Sequence, residues 1–201
     1  MTKRVTRMPE SERREQILQA AFDVACRNGI GGLSLRAVAA EAGISHGLVL
    51  FHFRTKEAVL HGLLDWLIAD MAVLHVSQDI ASFPHARDRF HALMQQEMAR
   101  LSRRPQHTRL FLEFWALGVR DAVVRSRISA ELERYRQAFR SIMEELLDSD
   151  PAGFESATAD GLAAASVSWI HGCAVQAMIE PDSFDTDGYL AAVRRMIGGM
   201  S

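Results

Sequence analysis

Residues 33–58 read LSLRAVAAEAGISHGLVLFHFRTKEA, and the order of caps, apolar spacing and glycine in this stretch decides the fold. Ser34 is a good N-cap, because its hydroxyl can accept a hydrogen bond from a free backbone amide in the first turn of a helix. Apolar residues follow at helical spacing as far as Ala42. Gly43 then suits the left-handed conformation in which many helices end. The first half of the stretch therefore predicts a short helix that stops at a tight turn.

The second half predicts another short helix and the start of a third. Ser45 is a second N-cap, and the apolar Ile44 before it can hold the turn against the core. Val49 and Phe53 are four residues apart, so both are expected to face inward. Thr55 caps the next helix. Two short helices joined by a tight turn present a helix to the DNA major groove, so the pattern favours a DNA-binding regulator over an enzyme.

The opposite face of the second helix is unusual in composition. A glycine there, Gly47, costs about 0.5–1 kcal/mol, and an exposed helix keeps it readily where a partner must approach the backbone closely. Lys56, in the first turn of the third helix, opposes the helix dipole, and a phosphate partner would explain it. The face is expected to hold Gly47, Leu48 and Phe51, flanked by His46 and Leu50.

The stretch resembles the TetR family of bacterial regulators, whose segment runs from a threonine or serine through IA..AGVS.G.LY.HF..KE.L. The match is dense over roughly residues 11–62 and rests on Ser34, Val38, Ala39, Ala42, Gly43, Ile44, Ser45, Gly47, Val49, His52, Phe53, Lys56 and Glu57. The resemblance implies a recognition helix at 45–51 and phosphate contacts from Ser34, His52 and Lys56. It also implies that a dimer binds a palindromic operator in double-stranded DNA.

Two residues depart from the family pattern. Leu48 and Leu50 stand where the family usually has a small or polar residue and a tyrosine, so two hydroxyl contacts to DNA are absent. Apolar contact with a thymine methyl group can replace one of them, and the alternative is that both leucines pack in the core. The residues predicted to contact DNA are Ser34, Arg36, Ile44, Ser45, His46, Gly47, Leu48, Leu50, Phe51, His52 and Lys56.

The charge distribution agrees with DNA binding at one end of the chain. Residues 1–60 carry nine Lys and Arg against six Asp and Glu, whereas the remainder carries fourteen against nineteen. A basic head and an acidic body fit a protein that touches DNA with its head alone, although the difference is modest. Lys3, Arg4 and Arg7 form either a DNA-contacting arm or a solvated terminus.

Nothing in the chain predicts secretion or a membrane partner. The basic start turns polar at 9–16 without an apolar core, so no signal peptide is expected. Cys26 and Cys173 show no paired spacing and are interpreted as small buried hydrophobes of a cytoplasmic protein. Residues 161–179 lack formal charge over a length close to a bilayer span, but their Ala, Ser and Gly content favours a helix buried inside the protein.

The remaining pattern predicts an all-α protein of nine helices, because no long run alternates with period two. A first helix is expected over 11–28, and two domains are expected, a DNA-binding domain at 1–54 and a ligand-binding and dimerisation domain at 55–201. A helix over 55–76 connects them. Breaks at Pro, Gly and Asp then place further helices at 84–103, 105–119, 121–148, 155–179 and 185–198.

The last two helices are the predicted dimer interface. Small residues there allow close helix contact, and a two-fold dimer doubles the number of base pairs that one recognition helix covers. In TetR-like proteins the final two helices of each subunit build a four-helix interface, so the resemblance supports this prediction. Packing within one chain is the alternative. The predicted interface residues are Gly161, Ala164, Ala165, Ser168, Gly172, Ala177 and Tyr189.

The family resemblance also implies a cavity for an unknown small-molecule effector. The run LFLEFWALGVRD at 110–121 is similar to the sensor domain of BetI-type, choline-responsive repressors. An aromatic cage near Glu113 would suit a quaternary ammonium group by cation–π attraction. The alternatives are that the same residues form an ordinary core and that Glu113 is exposed or pairs with an arginine. The candidate ligand residues are Trp66, Met94, Met98, Phe111, Phe114, Trp115, Tyr135, Phe139, Trp169 and His171.

Enzyme motifs are missing from the sequence: it has no phosphate-binding glycine loop, GxSxG elbow or HExxH. His85 and His91 are six residues apart and do not share a helical face, so neither a metal nor another cofactor is expected. The sequence thus predicts a homodimeric, ligand-released transcriptional repressor. A small-molecule-binding or scaffold protein with a weakened helix-turn-helix and a transcriptional activator are the alternatives.

Overall fold

A computed structural model describes residues 8–70 and 76–198, and all regular structure in these two ranges is helical. The all-α prediction is confirmed, but these residues form ten helices and not nine. The additional helix has four residues and is capped by Ser77, and it is too short to show an apolar period. The helices are α1 (Glu10–Asn28), α2 (Leu35–Glu41), α3 (His46–His52), α4 (Lys56–Asp70), α5 (Gln78–Ala81), α6 (Ala86–Arg103), α7 (Pro105–Gly118), α8 (Ala122–Ser149), α9 (Ala159–Ile179) and α10 (Thr186–Gly198).

Most predicted helix ends lie within two residues of the observed ones, and two predicted helices need comment. The helix predicted over 155–179 begins four residues later as α9, because Thr158 caps it: its Oγ1 accepts a hydrogen bond from the Gly161 amide at 3.1 Å. The helix predicted over 55–76 is described for fifteen residues as α4. Outside the described residues lie 71–75 of this connecting helix and Lys3, Arg4 and Arg7 of the predicted basic arm.

The chain packs as two compact units, and the first combines the described residues up to 70 with Leu110–Arg127. In it, α1 packs against α2 and α4 and buries Ile17 and Phe22, while α4 contributes Leu63 and Leu67. Each such large apolar side chain stabilises the unit by about 1.5–3 kcal/mol. The sequence-based boundary at residue 54 stays a prediction.

The second unit combines the described residues of 76–109 with residues 128–198. In it α6 packs against both α9 and α10. Its core contains Phe90 and Met94 from α6 and Phe139 from α8, and the Phe90 and Phe139 rings meet edge to face with centroids 6.0 Å apart. Aromatic pairs prefer this arrangement.

In the described part of the chain, α9 alone has the length and apolar composition to cross a membrane, with a mean hydropathy of 1.4 over its most apolar window. A core helix of a soluble protein meets the same criterion, and α9 buries Val167, Ile170 and Cys173 in the second unit. Only 39% of that window is buried within the chain, however. The prediction of an interior helix therefore accounts for one face of α9 and leaves the other face uncovered.

Candidate nucleic-acid interface and a buried polar cluster

Three side-chain caps define the helix-turn-helix as predicted. The Ser34 Oγ accepts a hydrogen bond from the Ala37 amide at 3.2 Å. The Ser45 Oγ accepts one from the Leu48 amide, also at 3.2 Å. The Thr55 Oγ1 accepts one from the Ala58 amide at 3.1 Å. Each cap contributes about 1 kcal/mol to its helix, so the three local signals in the sequence are confirmed as three helix starts.

The turn between α2 and α3 is held from both sides. Gly43 has a φ of +64°, the left-handed conformation that the sequence predicted for it. Immediately after it, the Ile44 amide donates to the Ala39 carbonyl at 3.0 Å. From α1, the Gln16 Nε2 donates to the Ala42 carbonyl at 2.8 Å. These bonds occupy the backbone groups at the end of α2 and set the direction in which α3 leaves the turn.

α3 is seated by its predicted inward residues. Val49 is completely buried, and Phe53 is 2% exposed. The guanidinium of Arg14 lies 4.2 Å from the centre of the Phe53 ring, and its Nη1 donates to the His52 carbonyl at 2.8 Å. Arg14 thereby combines a cation–π contact with a hydrogen bond to a carbonyl at the C-terminal end of α3. The helix is anchored along one side and leaves its other side open.

The open side of α3 consists of His46, Gly47, Leu50 and Phe51, all of them exposed. Phe51 is 72% exposed and Leu50 is 37% exposed, so Leu50 does not pack in the core. Leu48 is half-buried and lies at the border of this side. A Cβ atom added to Gly47 would meet no atom of the chain within 4 Å. We call His46, Gly47, Leu50 and Phe51 the reading face.

The predicted phosphate anchors flank the reading face in sequence and are accessible to different degrees. Ser34 is exposed, whereas His52 and Lys56 are half-buried. Arg36, predicted to contact DNA, is exposed as well. The Lys56 Nζ donates to the Gly31 carbonyl at 3.2 Å, which holds it beside the turn between α1 and α2. An ammonium has three N–H donors, so this bond leaves Lys56 two for a phosphate.

Glu113 has a role that differs from the predicted cage. Its Oε2 accepts a hydrogen bond from the Ile30 amide at 2.9 Å and lies 3.5 Å from where a Cβ of Gly29 would be. The carboxylate thus holds the backbone turn after α1. This bond engages one of the two carboxylate oxygens, so the aromatic cage around Glu113 stays a prediction. Glu113 is half-buried, and among the described residues it forms no ion pair with an arginine.

Two further polar links join the start of α8 to α4 within the first unit. The His61 Nε2 lies 3.8 Å from the Asp121 Oδ2, and Arg127 donates to the two carboxylate oxygens of Asp65 at 2.5 and 3.2 Å. Backbone hydrogen bonds from Val124 and Val123 lower the pKa of Asp121, which caps α8. The acid therefore stays ionised opposite His61.

Four candidate ligand residues lie in the first unit and the other six in the second. In the first, Trp66 donates from Nε1 to the Glu15 carboxylate at 2.6 Å and packs on Phe22 with ring centroids 5.5 Å apart. Phe111 and Trp115 are neighbours, with centroids 6.4 Å apart. The first group is Trp66, Phe111, Phe114 and Trp115, and the second is Met94, Met98, Tyr135, Phe139, Trp169 and His171.

The second unit contains a buried polar cluster, which we define as Glu97, Arg100, Tyr135 and His171. Glu97 is completely buried, and its Oε1 accepts a hydrogen bond from the Tyr135 hydroxyl at 2.9 Å. The Arg100 Nε lies 2.8 Å from the same oxygen and 3.0 Å from Oε2, and its Nη2 also bonds Glu97 and Tyr135. The ring centroids of Tyr135 and His171 are 5.5 Å apart. The cluster therefore joins α6, α8 and α9.

Burial controls the protonation of this cluster. Burial raises the pKa of the Tyr135 phenol, and the neighbouring Glu97 charge raises it further. Burial lowers the pKa of His171, although its hydrogen bond to the Val167 carbonyl partly opposes the shift. The 2.8 Å contact to that carbonyl places the proton of the neutral ring on Nδ1, because a carbonyl oxygen only accepts. Tyr135 and His171 are thus both uncharged at neutral pH.

Glu97 and Arg100 were not predicted from the sequence. Glu-x-x-Arg on a helix is the spacing of an ordinary surface ion pair, and Glu133 and Arg136 form such a pair on α8. A signal for burial was nevertheless present. Met94 lies three residues before Glu97, Met98 directly follows it and Leu101 lies four residues after it, and all three are buried. A carboxylate inside an apolar row of that kind is rarely left in solvent.

Two clefts in the second unit show where space exists near its surface. The larger has a volume of about 640 Å³ and is lined by polar and ion-paired residues that include Arg87, Asp150 and Arg194. The smaller has about 150 Å³ and lies beside Leu101, Pro105 and Ala174. Neither cleft is lined by any of the ten candidate ligand residues.

Six of the predicted dimer residues lie on α9 and the seventh, Tyr189, lies on α10. Gly161, Ala164 and Ser168 are exposed, whereas Ala165, Gly172, Ala177 and Tyr189 are half-buried. The Tyr189 hydroxyl donates to the Trp169 carbonyl at 3.0 Å, which ties α10 to α9. Within one chain, therefore, Gly161, Ala164 and Ser168 are left uncovered, whereas the other four are partly covered.

Among the described residues no group of three or more His, Cys, Asp or Glu side chains could hold a metal ion. A capped helix-turn-helix with an open second helix, followed by a separate helical unit, defines the class of DNA-binding transcriptional regulators. The family model described as bacterial regulatory proteins, tetR family, matches residues 17–63, and the model of the BetI-type transcriptional repressor C-terminal domain matches residues 86–200. The chain belongs to the TetR family, with a C-terminal domain of BetI type.

Individual relatives agree with this assignment. The transcriptional regulator BetI of Vibrio campbellii is 22% identical over 90% of this chain and 87% of its own length. A structure from Pseudomonas aeruginosa PAO1 assigned as a transcriptional regulator has a TM-score of 0.75 at 23% identity and covers 98% of this chain and 93% of its own. One from Saccharomonospora viridis, solved in complex with choline, has a TM-score of 0.71 at 18% identity and covers 94% and 96%. The fold and the non-enzymatic, regulatory class are therefore established.

Proposed function

We propose that this chain is a repressor that binds a palindromic operator as a homodimer and releases it when a small molecule binds its C-terminal domain. The observation that carries the proposal is the reading face of α3, which is exposed while the rest of the helix is anchored by Val49, Phe53 and Arg14. An α-helix fits the major groove of B-DNA, and a rigidly seated helix with one open side can present its side chains there.

The uncovered face of α9 supports the homodimer. Gly161, Ala164 and Ser168 recur at intervals of three and four, so they line one side of the helix. Ile179 on the same helix is 71% exposed, and Met196 on α10 is 58% exposed. A second copy related by a two-fold axis would cover this apolar surface and let the helices approach closely. Substituting Ala164→Glu places a charge in this face and is expected to yield monomers in sedimentation analysis.

The buried polar cluster supports effector binding in the second unit. A cluster of one carboxylate, one guanidinium, a phenol and a neutral imidazole inside an apolar core is costly unless every group is paired. Glu97 is fully buried, whereas a quarter of the Arg100 side chain is exposed. An organic cation can therefore take the place of Arg100 beside Glu97 while Arg100 moves into water. The Saccharomonospora viridis neighbour was solved with choline, which is such a cation.

The effector acts by differential affinity. In one conformation of the dimer the two reading helices can span two successive major grooves, and in the other they cannot. The effector releases DNA to the extent that it binds the second conformation more tightly than the first. Each tenfold preference shifts the equilibrium between them by about 1.4 kcal/mol. In the proposal α4, the described part of the predicted connecting helix, carries this change to the DNA-binding domain, in the cytoplasm where the DNA lies.

A binding selection with genomic DNA fragments tests the proposal. Purified full-length protein is expected to enrich fragments that share one inverted repeat, and added choline or another organic cation is expected to release them. The Ala164→Glu variant serves as the matched control, because the DNA-binding residues are intact but the dimer is not. Absence of any enriched repeat would refute the repressor and favour a scaffold or small-molecule-binding protein. Transcription that rises when the protein occupies its site would indicate an activator.

A further inference from the structure

The reading face offers few hydrogen-bonding groups. Positions 46, 47, 50 and 51 fall on one side of α3 at 100° per residue, opposite the buried Val49. His46 carries the only polar side chain among them. The hydroxyl of Ser45, just before them, already accepts the Leu48 amide. Most of the side-chain surface that α3 presents is therefore apolar.

That apolar surface is exposed and held in place. Phe51 is 72% exposed, and its ring meets the half-buried His52 ring at right angles with centroids 5.2 Å apart. Leu50, 37% exposed, lies beside it. Leaving two large hydrophobic side chains next to each other in water forgoes the stabilisation that burial would bring, unless a partner covers them. Because both lie on the face of a helix-turn-helix that meets DNA, the partner continuous with this surface is the floor of the major groove.

We propose that Leu50 and Phe51 recognise thymine in the operator through its C5-methyl group. This inference rests on the proposed function and names the chemistry by which the same site reads sequence. In the major groove, thymine is the one base that displays a methyl group, and apolar side chains including phenylalanine contact it. Gly47 supports the geometry, because the absence of a Cβ lets the backbone of α3 approach the bases closely.

The magnitude follows from the area that one methyl group buries. Removing a buried methyl is expected to weaken binding about fourfold. Two symmetric half-sites act nearly independently, so removing the equivalent methyl from both is expected to weaken binding about sixteenfold. A difference of that size is readily measured, and the base pairing of the operator is unchanged when deoxyuridine replaces thymidine.

The test uses the full-length protein and the sequence enriched in the selection above. Deoxyuridine replaces each thymidine in turn, and dissociation constants are measured by fluorescence anisotropy at one salt concentration. We expect about fourfold weaker binding at one or two thymines in each half-site. For each position, the dissociation constant of the uracil operator is divided by that of the thymine operator. In Phe51→Ala and Leu50→Ala this ratio is expected to fall to about one at the position that each residue contacts.

Two control variants separate methyl recognition from other effects. Val119→Ala removes a side chain that is 75% exposed in the first unit but lies outside α3, and it should keep the wild-type ratio. Lys56→Ala should weaken both operators equally and also keep the ratio. Because Leu50 and Phe51 are exposed, their variants should retain the wild-type helical circular dichroism.

Three outcomes would overturn the inference. An enriched operator without thymine in its half-sites would do so, and so would a thymine-to-uracil ratio of one at every position. A ratio that survives in both Phe51→Ala and Leu50→Ala would show that other residues read the methyl groups. If no sequence is enriched at all, the proposed function fails and the inference fails with it, so the two failures are distinguishable.

Discussion

Gly47→Ala should separate the stability of this protein from its function. Gly47 lies inside α3 without a positive φ, and a Cβ there would meet nothing within 4 Å. An alanine in the same backbone conformation restricts the unfolded chain and favours the helix, so the free energy of unfolding should rise by about 0.5–1 kcal/mol. Urea denaturation followed by circular dichroism measures this gain.

The same substitution should weaken operator binding. If the backbone of α3 approaches the bases at Gly47, a methyl forced into that contact costs about 1–3 kcal/mol, or about fivefold to more than a hundredfold in affinity. Anisotropy titration of the selected operator measures it, and the gain in stability serves as an internal control for folding. Gly47→Ala with unchanged affinity would refute the close approach. A loss of stability would refute the reading that the glycine is costly in the isolated chain.

Three further predictions concern charge. Lys56→Ala should reduce the slope of log affinity against log salt by about one unit in DNA titrations, whereas Arg103→Ala, exposed on α6, should leave it unchanged. Glu97→Ala should lower the free energy of unfolding by about 2–3 kcal/mol, because the Arg100 guanidinium, of which a quarter is exposed, loses its charged partner. Glu133→Ala, at a pair that is partly exposed, should lower it far less in the same urea titration. Burial lowers the pKa of His171, so as the pH falls below 6.5 the unfolded chain takes up a proton before the folded protein does, and the free energy of unfolding decreases. His171→Gln should make this decrease shallower between pH 6.5 and 5. An equally steep decrease in the variant would contradict the prediction.

The helix-turn-helix was predictable because its signals are local. Ser34, Ser45 and Thr55 each bond an amide three residues ahead, and Gly43 adopts the φ that its position demands. Such interactions depend on the residues next to them in the chain and not on the rest of the fold. The spacing of Val49 likewise indicates an inward face before any partner is known.

The sensor residues were harder to predict because their neighbours are distant in sequence. Phe111 and Tyr135 are both buried aromatic residues on helices, yet the first packs with the DNA-binding unit and the second with α6 and α9. Glu113 was expected near an effector, and its hydrogen bond to the Ile30 amide, 83 residues earlier in the chain, was not predicted. Periodicity shows which side of a helix is apolar, but it does not show which helix covers that side.

The sequence by itself determined the class of this protein: a capped helix-turn-helix of TetR type, an all-helical body, and a reading helix with apolar residues where hydroxyls are usual. Only the tertiary structure decided which charges are buried. Glu97 and Glu133 each precede an arginine by three residues, yet Glu97 is sealed in a cluster and Glu133 stays at the surface. The reason is physical. A helix is specified by interactions within four residues, whereas burial depends on the elements that pack across it, and these come from distant parts of the chain.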